Sequence, residues 1–459
     1  MNYLTLPDAT ELLKQIQSGE RSAEGVVSEY LQRLETQHPR INAAVQVFRD
    51  QALTEARSPR PGPLSGLPIS VKETFGLAGE TVTAGSLRMP PIPHKQDATI
   101  VRRLREAGAI IIARSNLPEF AMTYESDNLR YGRTNNPLNP EYSPGGSSGG
   151  EAALVASGST ALGIGSDIGG SIRYPAHCCG VVGFKPHARA IPKEGTWPQL
   201  PGLIDTMLAL GSLTRSVRDA RLVYNVIADE PVAENGDAAA LRLITAPNFR
   251  MNLQDNAVAS ALKRGISELK EAGLTAEEWD IPEVGSLVQD YISYIAYNLA
   301  DPFFDLLTTA EGDKLSLATE GQRQLMRRPT VHKYVFNMLL AAPLIKPNAR
   351  KALEIEQRIL IAREKYYEKL GTDGILLLPT SGALAMKHGK AAATVLRPGV
   401  PGVFTPTLLI NILNLSAISL PSWFDIDGKT GLVPGLMLAT RPGNEAALLD
   451  AAALLETAL

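Results

Sequence analysis

The chain has 459 residues and little that would staple, span or charge it. Its two cysteines, Cys178 and Cys179, are neighbours and cannot tie distant segments together. A bridge between adjacent residues would be strained, so reduced thiols and a cytoplasmic location are expected. Beside that pair stands His177 alone, too small a ligand set for a metal site. No apolar stretch approaches the roughly 18 to 20 residues that a membrane span needs. The opening Met1 to Asp8 shows no basic segment followed by an apolar run, so no signal peptide is expected. Charge of one sign is scarce as well. With 45 basic and 48 acidic residues the net charge is −3, which argues against a broad nucleic-acid surface. A content of 44% hydrophobic and 20% charged residues fits a soluble globular protein, long enough for one large domain or two fused lobes.

Residues 8–57 read as helices, with Asp8 as the first cap and Val26, Val27, Tyr30, Leu31 and Leu34 at helical spacing. The run Ser58-Pro-Arg-Pro-Gly-Pro63 breaks structure. From 64 to about 228, strand-like and helix-like segments alternate. Leu67 to Lys72, Ala109 to Ala113 and Thr160 to Gly165 read as strands. Asp97 to Ala107 (capped by Asp97), Glu151 to Ser157 and Val217 to Ala228 read as helices. Later strands are expected at 241–245, 374–378, 415–420 and 432–439, and helices at 256–272, 349–370 and 444–458. This pattern predicts an α/β fold with a mixed, substantially parallel sheet. Between 285 and 350, Tyr291, Tyr294, Tyr297, Phe303, Phe304 and Phe336 occur among four prolines. That segment reads either as irregular helices covering a substrate or as an ordinary helical subdomain.

Two glycine-serine clusters stand 24 residues apart when counted between Ser147 and Ser171. They are Ser143-Pro-Gly-Gly-Ser147-Ser148-Gly-Gly150 and Gly165-Ser-Asp167-Ile168-Gly169-Gly170-Ser171-Ile172-Arg173, and Lys72 ends a strand-like stretch upstream. The first cluster fits a Gly-x-Ser-x-Gly elbow, which requires a preceding strand. Three prolines between Asn135 and Pro144 exclude a central strand there, and His177, His187, His332 and His388 lack a fitting context. A phosphate loop would place lysine after its glycines, where Glu151 stands instead and would repel phosphate. The dinucleotide pattern has Ile168 where its third glycine belongs. Plain turns are the bland reading, but long glycine loops cost conformational entropy and are kept where backbone must approach a ligand.

The remaining chemistry is that of a serine hydrolase without histidine. Ser171 is the candidate nucleophile, and the N–H groups of Ile168, Gly169, Gly170 and Ser171 are candidates for an oxyanion hole. Ser147 is placed to relay a proton, since a hydroxyl both donates and accepts. Lys72 is the candidate base, if burial lowers its pKa by roughly 3 units from about 10.4.

At these residues the chain resembles the amidase signature family, whose members use a lysine, a cis-serine and a nucleophilic serine. The resemblance covers nearly the whole chain, is densest from 64 to 190, and puts those roles on Lys72, Ser147 and Ser171. It implies one domain over 1–459, with N-terminal helices to 60, a catalytic core at 64–245 and a return to the core at 370–459; the 285–350 segment carries no motif of the resemblance and is expected from its own pattern as a substrate-covering helical insertion. Its fold would be a large mixed, twisted sheet with helices on both faces. It further implies amide hydrolysis through an acyl-enzyme, no cofactor, a small-molecule amide as substrate and a homodimer. Ser148, Asp167 and Arg173 would brace the loops, the last two as a pair, while Ala121 and Met122 would meet substrate at the acyl pocket. The stretches Ser166 to Pro175, Tyr124 to Asn128 and Ile191 to Trp197 look most like the fatty-acid amide hydrolase group, especially its second form. The glutamine-hydrolysing subunit of a tRNA amidotransferase shares the triad, yet its usual loop has Thr where Ile168 stands.

Overall fold

The computed structural model describes residues 6–233, 240–250, 253, 255–307, 314–391 and 402–459. Residues 1–5 of the opening Met1 to Asp8, and 308–313 of the 285–350 segment, lie outside the described residues. The strands are β1 (Ala44–Val47), β2 (Pro68–Lys72), β3 (Ile110–Ser115), β4 (Asp127–Asn128), β5 (Gly132–Arg133), β6 (Leu162–Asp167) and β7 (Val182–Lys185). They continue with β8 (Ala209–Thr214), β9 (Arg242–Thr245), β10 (Thr275–Glu278), β11 (Gly374–Pro379), β12 (Ser416–Pro421) and β13 (Gly435–Thr440). β4 and β5 pair with each other, and the rest form an 11-stranded sheet in the order β1-β3-β2-β6-β8-β7-β12-β13-β11-β9-β10.

The sheet is mixed, but less parallel than the alternating pattern predicts. Four neighbouring pairs are parallel, confined to the trios β3-β2-β6 and β11-β9-β10. The other six are antiparallel, and β7 and β8, which the pattern does not reveal, fill the middle of the sheet. Both escape a periodicity reading because β7 is only Val-Gly-Phe-Lys and β8 (Ala-Leu-Gly-Ser-Leu-Thr) is rich in small residues.

Alternate residues of the inner strands enter separate cores. Ile375 and Leu377 pack with Leu436 and Leu438 on one face, while Leu376 and Leu378 pack with Met437 and Ala439 on the other. A sheet covered on both faces needs apolar residues at every position, hence the unbroken run of β11. Asp8 and Ser22 cap the first two helices, accepting from the N–H groups of Glu11 and Gly25. The N-terminal helical stretch is interrupted by β1, which pairs with β3 at the sheet edge. Asp97 is not a helix cap. The helix starts later, at Thr99–Glu106, and the Asp97 carboxylate instead accepts from the Ala78 N–H and pairs with Arg105. In the 285–350 segment the helices are regular: Val284–Leu306, Leu317–Leu325 and Lys333–Ile345. Pro329 and Pro347 fall between helices, whereas Pro302 and Pro343 lie inside the first and the third of them, toward their C-terminal ends.

The parallel register of β2 against β6 pairs Ser70 with Gly163 and Val71 with Ile164. The carboxyl ends of both strands, at Lys72 and Asp167, therefore open on the same side. Ligand sites in sheets of this kind lie beyond such ends.

Candidate active site

Alternation along β2 puts Ser70 and Lys72 on one face, against which the helix Gly149–Ala156 packs. The first glycine-serine loop feeds that helix and delivers Ser147 to the lysine. Lys72 Nζ lies 2.7 Å from Ser147 Oγ and 3.1 Å from Ser166 Oγ, with no exposure to solvent. Burial pushes Lys72 down to about 7, against the opposing pull of Asp167 and Glu151. The Gly146–Ser147 peptide is cis. The Ser148 N–H donates to the Ser171 carbonyl at 3.0 Å, so the two loops are joined through backbone.

The second loop is organised around Asp167. Its carboxylate accepts from the N–H groups of Gly170 at 2.8 Å and Ile172 at 3.0 Å, and from Arg173 Nε at 3.1 Å and Nη2 at 2.9 Å. Burial by itself would raise the Asp167 pKa. The Arg173 guanidinium and these donors overcome it and hold the carboxyl well below the usual carboxylate range. Arg173 is fully buried and also donates to Asn411 Oδ1 and to the Thr407 carbonyl, 3.0 Å away.

Of the four N–H groups considered for an oxyanion hole, that of Gly170 is thus engaged by Asp167. Those of Ile168, Gly169 and Ser171 donate to no backbone acceptor among the described residues. The Tyr291 hydroxyl donates to the Ile168 carbonyl at 2.7 Å and the Tyr124 hydroxyl to that of Gly169 at 2.6 Å. The peptide unit is planar, so anchoring the Ile168 carbonyl also fixes the direction of the Gly169 N–H. Gly170 has φ +116°, and a Cβ there would lie 2.6 Å from Thr407, so no other residue fits without strain. Sequence reasoning missed Ser166 and the anchoring role of both tyrosines. The signal for Tyr291 was the aromatic enrichment of its segment, which says nothing about which ring turns inward.

Ala121 and Met122 follow a left-handed kink, with Phe120 at φ 55° and Ala121 at φ 54°. Met122 joins an apolar cluster with Phe120, Phe303, Val331, Val335 and Leu339, and the Phe120 ring lies 5.8 Å from Trp197 and 5.4 Å from Phe303. The Glu119 carboxylate holds the kink to the helical segment, accepting from Ser86 Oγ and the His332 N–H at 2.6 Å each. Among the described residues no group of three His, Cys, Asp or Glu side chains is arranged to hold a metal. Cys178 and Cys179 are buried free thiols whose pKa burial pushes up.

A family model described as Amidase matches residues 25–449, and the chain belongs to that family. Membership makes it a hydrolase of amide C–N bonds at the level of the family. It is 31% identical to the A subunit of a glutamyl-tRNA(Gln) amidotransferase from Nitratidesulfovibrio vulgaris (strain DP4), over 95% of this chain and 94% of that protein. A crystal structure described simply as an amidase superposes with a TM-score of 0.83 at 26% identity, over 99% of this chain and all of the other (100%). A fatty acid amide hydrolase matches at a TM-score of 0.79 and 22% identity, over 99% of this chain and 85% of that one; this is a likeness of fold alone. No described helix is long and apolar enough to cross a membrane.

Proposed function

We propose that the protein is a serine amidase that cleaves carboxylic amides through an acyl-enzyme on Ser171, with Ser147 as proton relay and Lys72 as base. The observation that carries this reading is the contact of Lys72 Nζ with Ser147 Oγ at 2.7 Å, made by a lysine without solvent. Ser171 Oγ bonds to the carbonyl carbon while its proton passes to Ser147 and the Ser147 proton passes to neutral Lys72. The carbonyl electron pair moves to oxygen, met by the N–H groups of Gly169 and Ser171. As the C–N bond breaks, Ser147 protonates the nitrogen and recovers a proton from Lys72, so a neutral amine leaves rather than an amide anion. Water then adds to the acyl carbon, gives up a proton along the same relay, and displaces Ser171 to release the acid. On this reading the chain works in the cytoplasm as one domain, and the apolar cluster around Met122 faces an uncharged acyl group.

A second reading, a glutaminase subunit of an amidotransferase, is favoured by the likeness to the amidotransferase relative. Glutamine brings an ammonium and a carboxylate that need polar partners when buried. The side chains packed with Met122 are apolar, and the Glu119 carboxylate and Arg88 at their edge are engaged by Ser86, His332 and the Leu307 carbonyl. A panel of anilides, esters and carbamates of graded acyl length, beside L-glutamine, separates the two. Turnover of apolar amides by the isolated chain, and none of glutamine, is expected. Inertness to every apolar substrate, with glutamine hydrolysed only beside a partner, would reverse the assignment.

The pH profile follows from Lys72. Its pKa in the folded protein is about 7, so protonation as pH falls through that value removes the base. The expected kcat/KM falls as pH drops below that value and levels off on the alkaline side. Initial rates at constant ionic strength check this, and a profile flat through pH 7 contradicts it.

A further inference from the structure

One buried acid beneath the relay has no part in the steps above. Glu151 lies one helical turn beyond Ser147, on the helix that opens from the first loop, with no solvent exposure. Its Oε2 accepts from Ser70 Oγ, two residues before Lys72 on the same strand face. Oε1 has no hydrogen bond of good geometry among the described residues; the Ser115 hydroxyl and the Ile164 N–H lie near the carboxyl and favour its ionised form, but less than burial opposes it. A Cβ at Gly163 would lie 2.1 Å from Glu151 Oε2, so β6 keeps a glycine to admit this carboxyl against its backbone. An alanine or leucine would fill an ordinary packed interior at that point; a fully buried carboxyl with no cation bonded to it is costly there unless it is neutral.

We propose that Glu151 is a positioning residue for the catalytic base: it is a second proton-holding group, coupled through space to Lys72, and it sets the pH at which the lysine can accept a proton. The inference rests on the amidase reading and extends it. Lys72 donates to Ser147 and Ser166 and forms no ion pair with Glu151, so the coupling is electrostatic and leaves the lysine free to serve the relay. Other charged groups on the packed elements are already committed. Asp167 at the end of β6 is neutralised by Arg173 from the helix Arg173–Cys179, and Arg114 of β3 donates to the carbonyls of Thr81 and Glu73. β8 carries no titratable side chain, and Tyr174, His177, Cys178 and Cys179 of that same helix are buried and uncharged at neutral pH. Burial pushes Glu151 up to about 8, near enough to the lysine value for the two to titrate as a pair. Glu151 is neutral at the start of the rise; as it ionises it favours the lysine ammonium and holds part of Lys72 protonated to higher pH, a phase that a neutral side chain at 151 abolishes.

The test is the pH dependence of Ser171 labelling by a fluorophosphonate, which reads base-assisted nucleophilicity without needing the substrate. In the unmodified protein the logarithm of the labelling rate is expected to rise over a span wider than one ionisation. In Glu151→Gln the midpoint is expected to move down by about one pH unit and the curve to narrow to one group. A merely structural role lowers the rate at all pH values with the midpoint in place, and that result overturns the inference. If Glu151→Gln fails to fold, the width of the unmodified protein's curve still decides, since a single-group curve is equally fatal. Absence of Ser171 labelling in the unmodified protein sinks the amidase reading itself, an outcome distinct from an unmoved midpoint.

Discussion

Ser171→Ala is expected to lower amide turnover by about 10⁴-fold or more, with thermal unfolding little changed. The loss is large because every later step needs the acyl bond to Ser171 Oγ. Folding is spared because Ser171 ties the loops together through its backbone carbonyl, which accepts from the Ser148 N–H and is kept by alanine. Ser147→Ala should cost nearly as much, since it disconnects Lys72 from the nucleophile. The double variant should be no worse than either single one, because groups that act as a unit lose their whole effect once. Single-turnover rates and the mass of the trapped acyl-enzyme measure this. Appreciable turnover by Ser171→Ala would remove the acyl-enzyme from the mechanism.

How far the sequence foretold this arrangement depends on whether the information was local. Lys72, Ser147 and Ser171 stand out in the sequence because glycine-rich backbone and a strand-ending lysine leave a dense local signature, and the structure brings Lys72 to Ser147 and joins the loop of Ser147 to Ser171 through backbone. The Asp167–Arg173 pairing rested on residues six apart in one loop, and the structure makes it at 2.9 Å. What stayed hidden depends on distant partners. Tyr291 is an ordinary aromatic residue until the helix carrying it crosses the Ile168 carbonyl, and nothing local marks that crossing. Gly170 counted as a free N–H donor because sequence gives no sign that Asp167 turns back on it. Glu151 spoke only against phosphate, since its burial is created by β2 and β6 together. Asp97 shows the same limit on a smaller scale, because a good capping residue was taken by the Ala78 N–H instead.

Arg173→Met is expected to be the most damaging change to stability, at about 3–5 kcal/mol, because it strands a charge rather than merely deleting a contact. Asp167 has no solvent exposure, and without the guanidinium only backbone donors and distant lysines offset its burial. The sign of the pH dependence should invert with the substitution. In the unmodified protein the Asp167 pKa is below its unfolded value of about 3.9, so the stability it contributes is present above that value and is lost as pH falls toward the folded pKa. In Arg173→Met burial dominates and the folded pKa rises above the unfolded one. Folding then takes up a proton, and stability is recovered as pH is lowered through the raised value. Urea midpoints at neutral pH and at about pH 5 separate the cases. The variant should regain stability on acidification where the unmodified protein does not. Asp167→Asn combined with Arg173→Met removes the stranded carboxylate and should be more stable than Arg173→Met itself near neutral pH. A double variant no better than the single one would show that Arg173 acts through Thr407 and Asn411, and that the ion pair with Asp167 is not what holds the nucleophile loop.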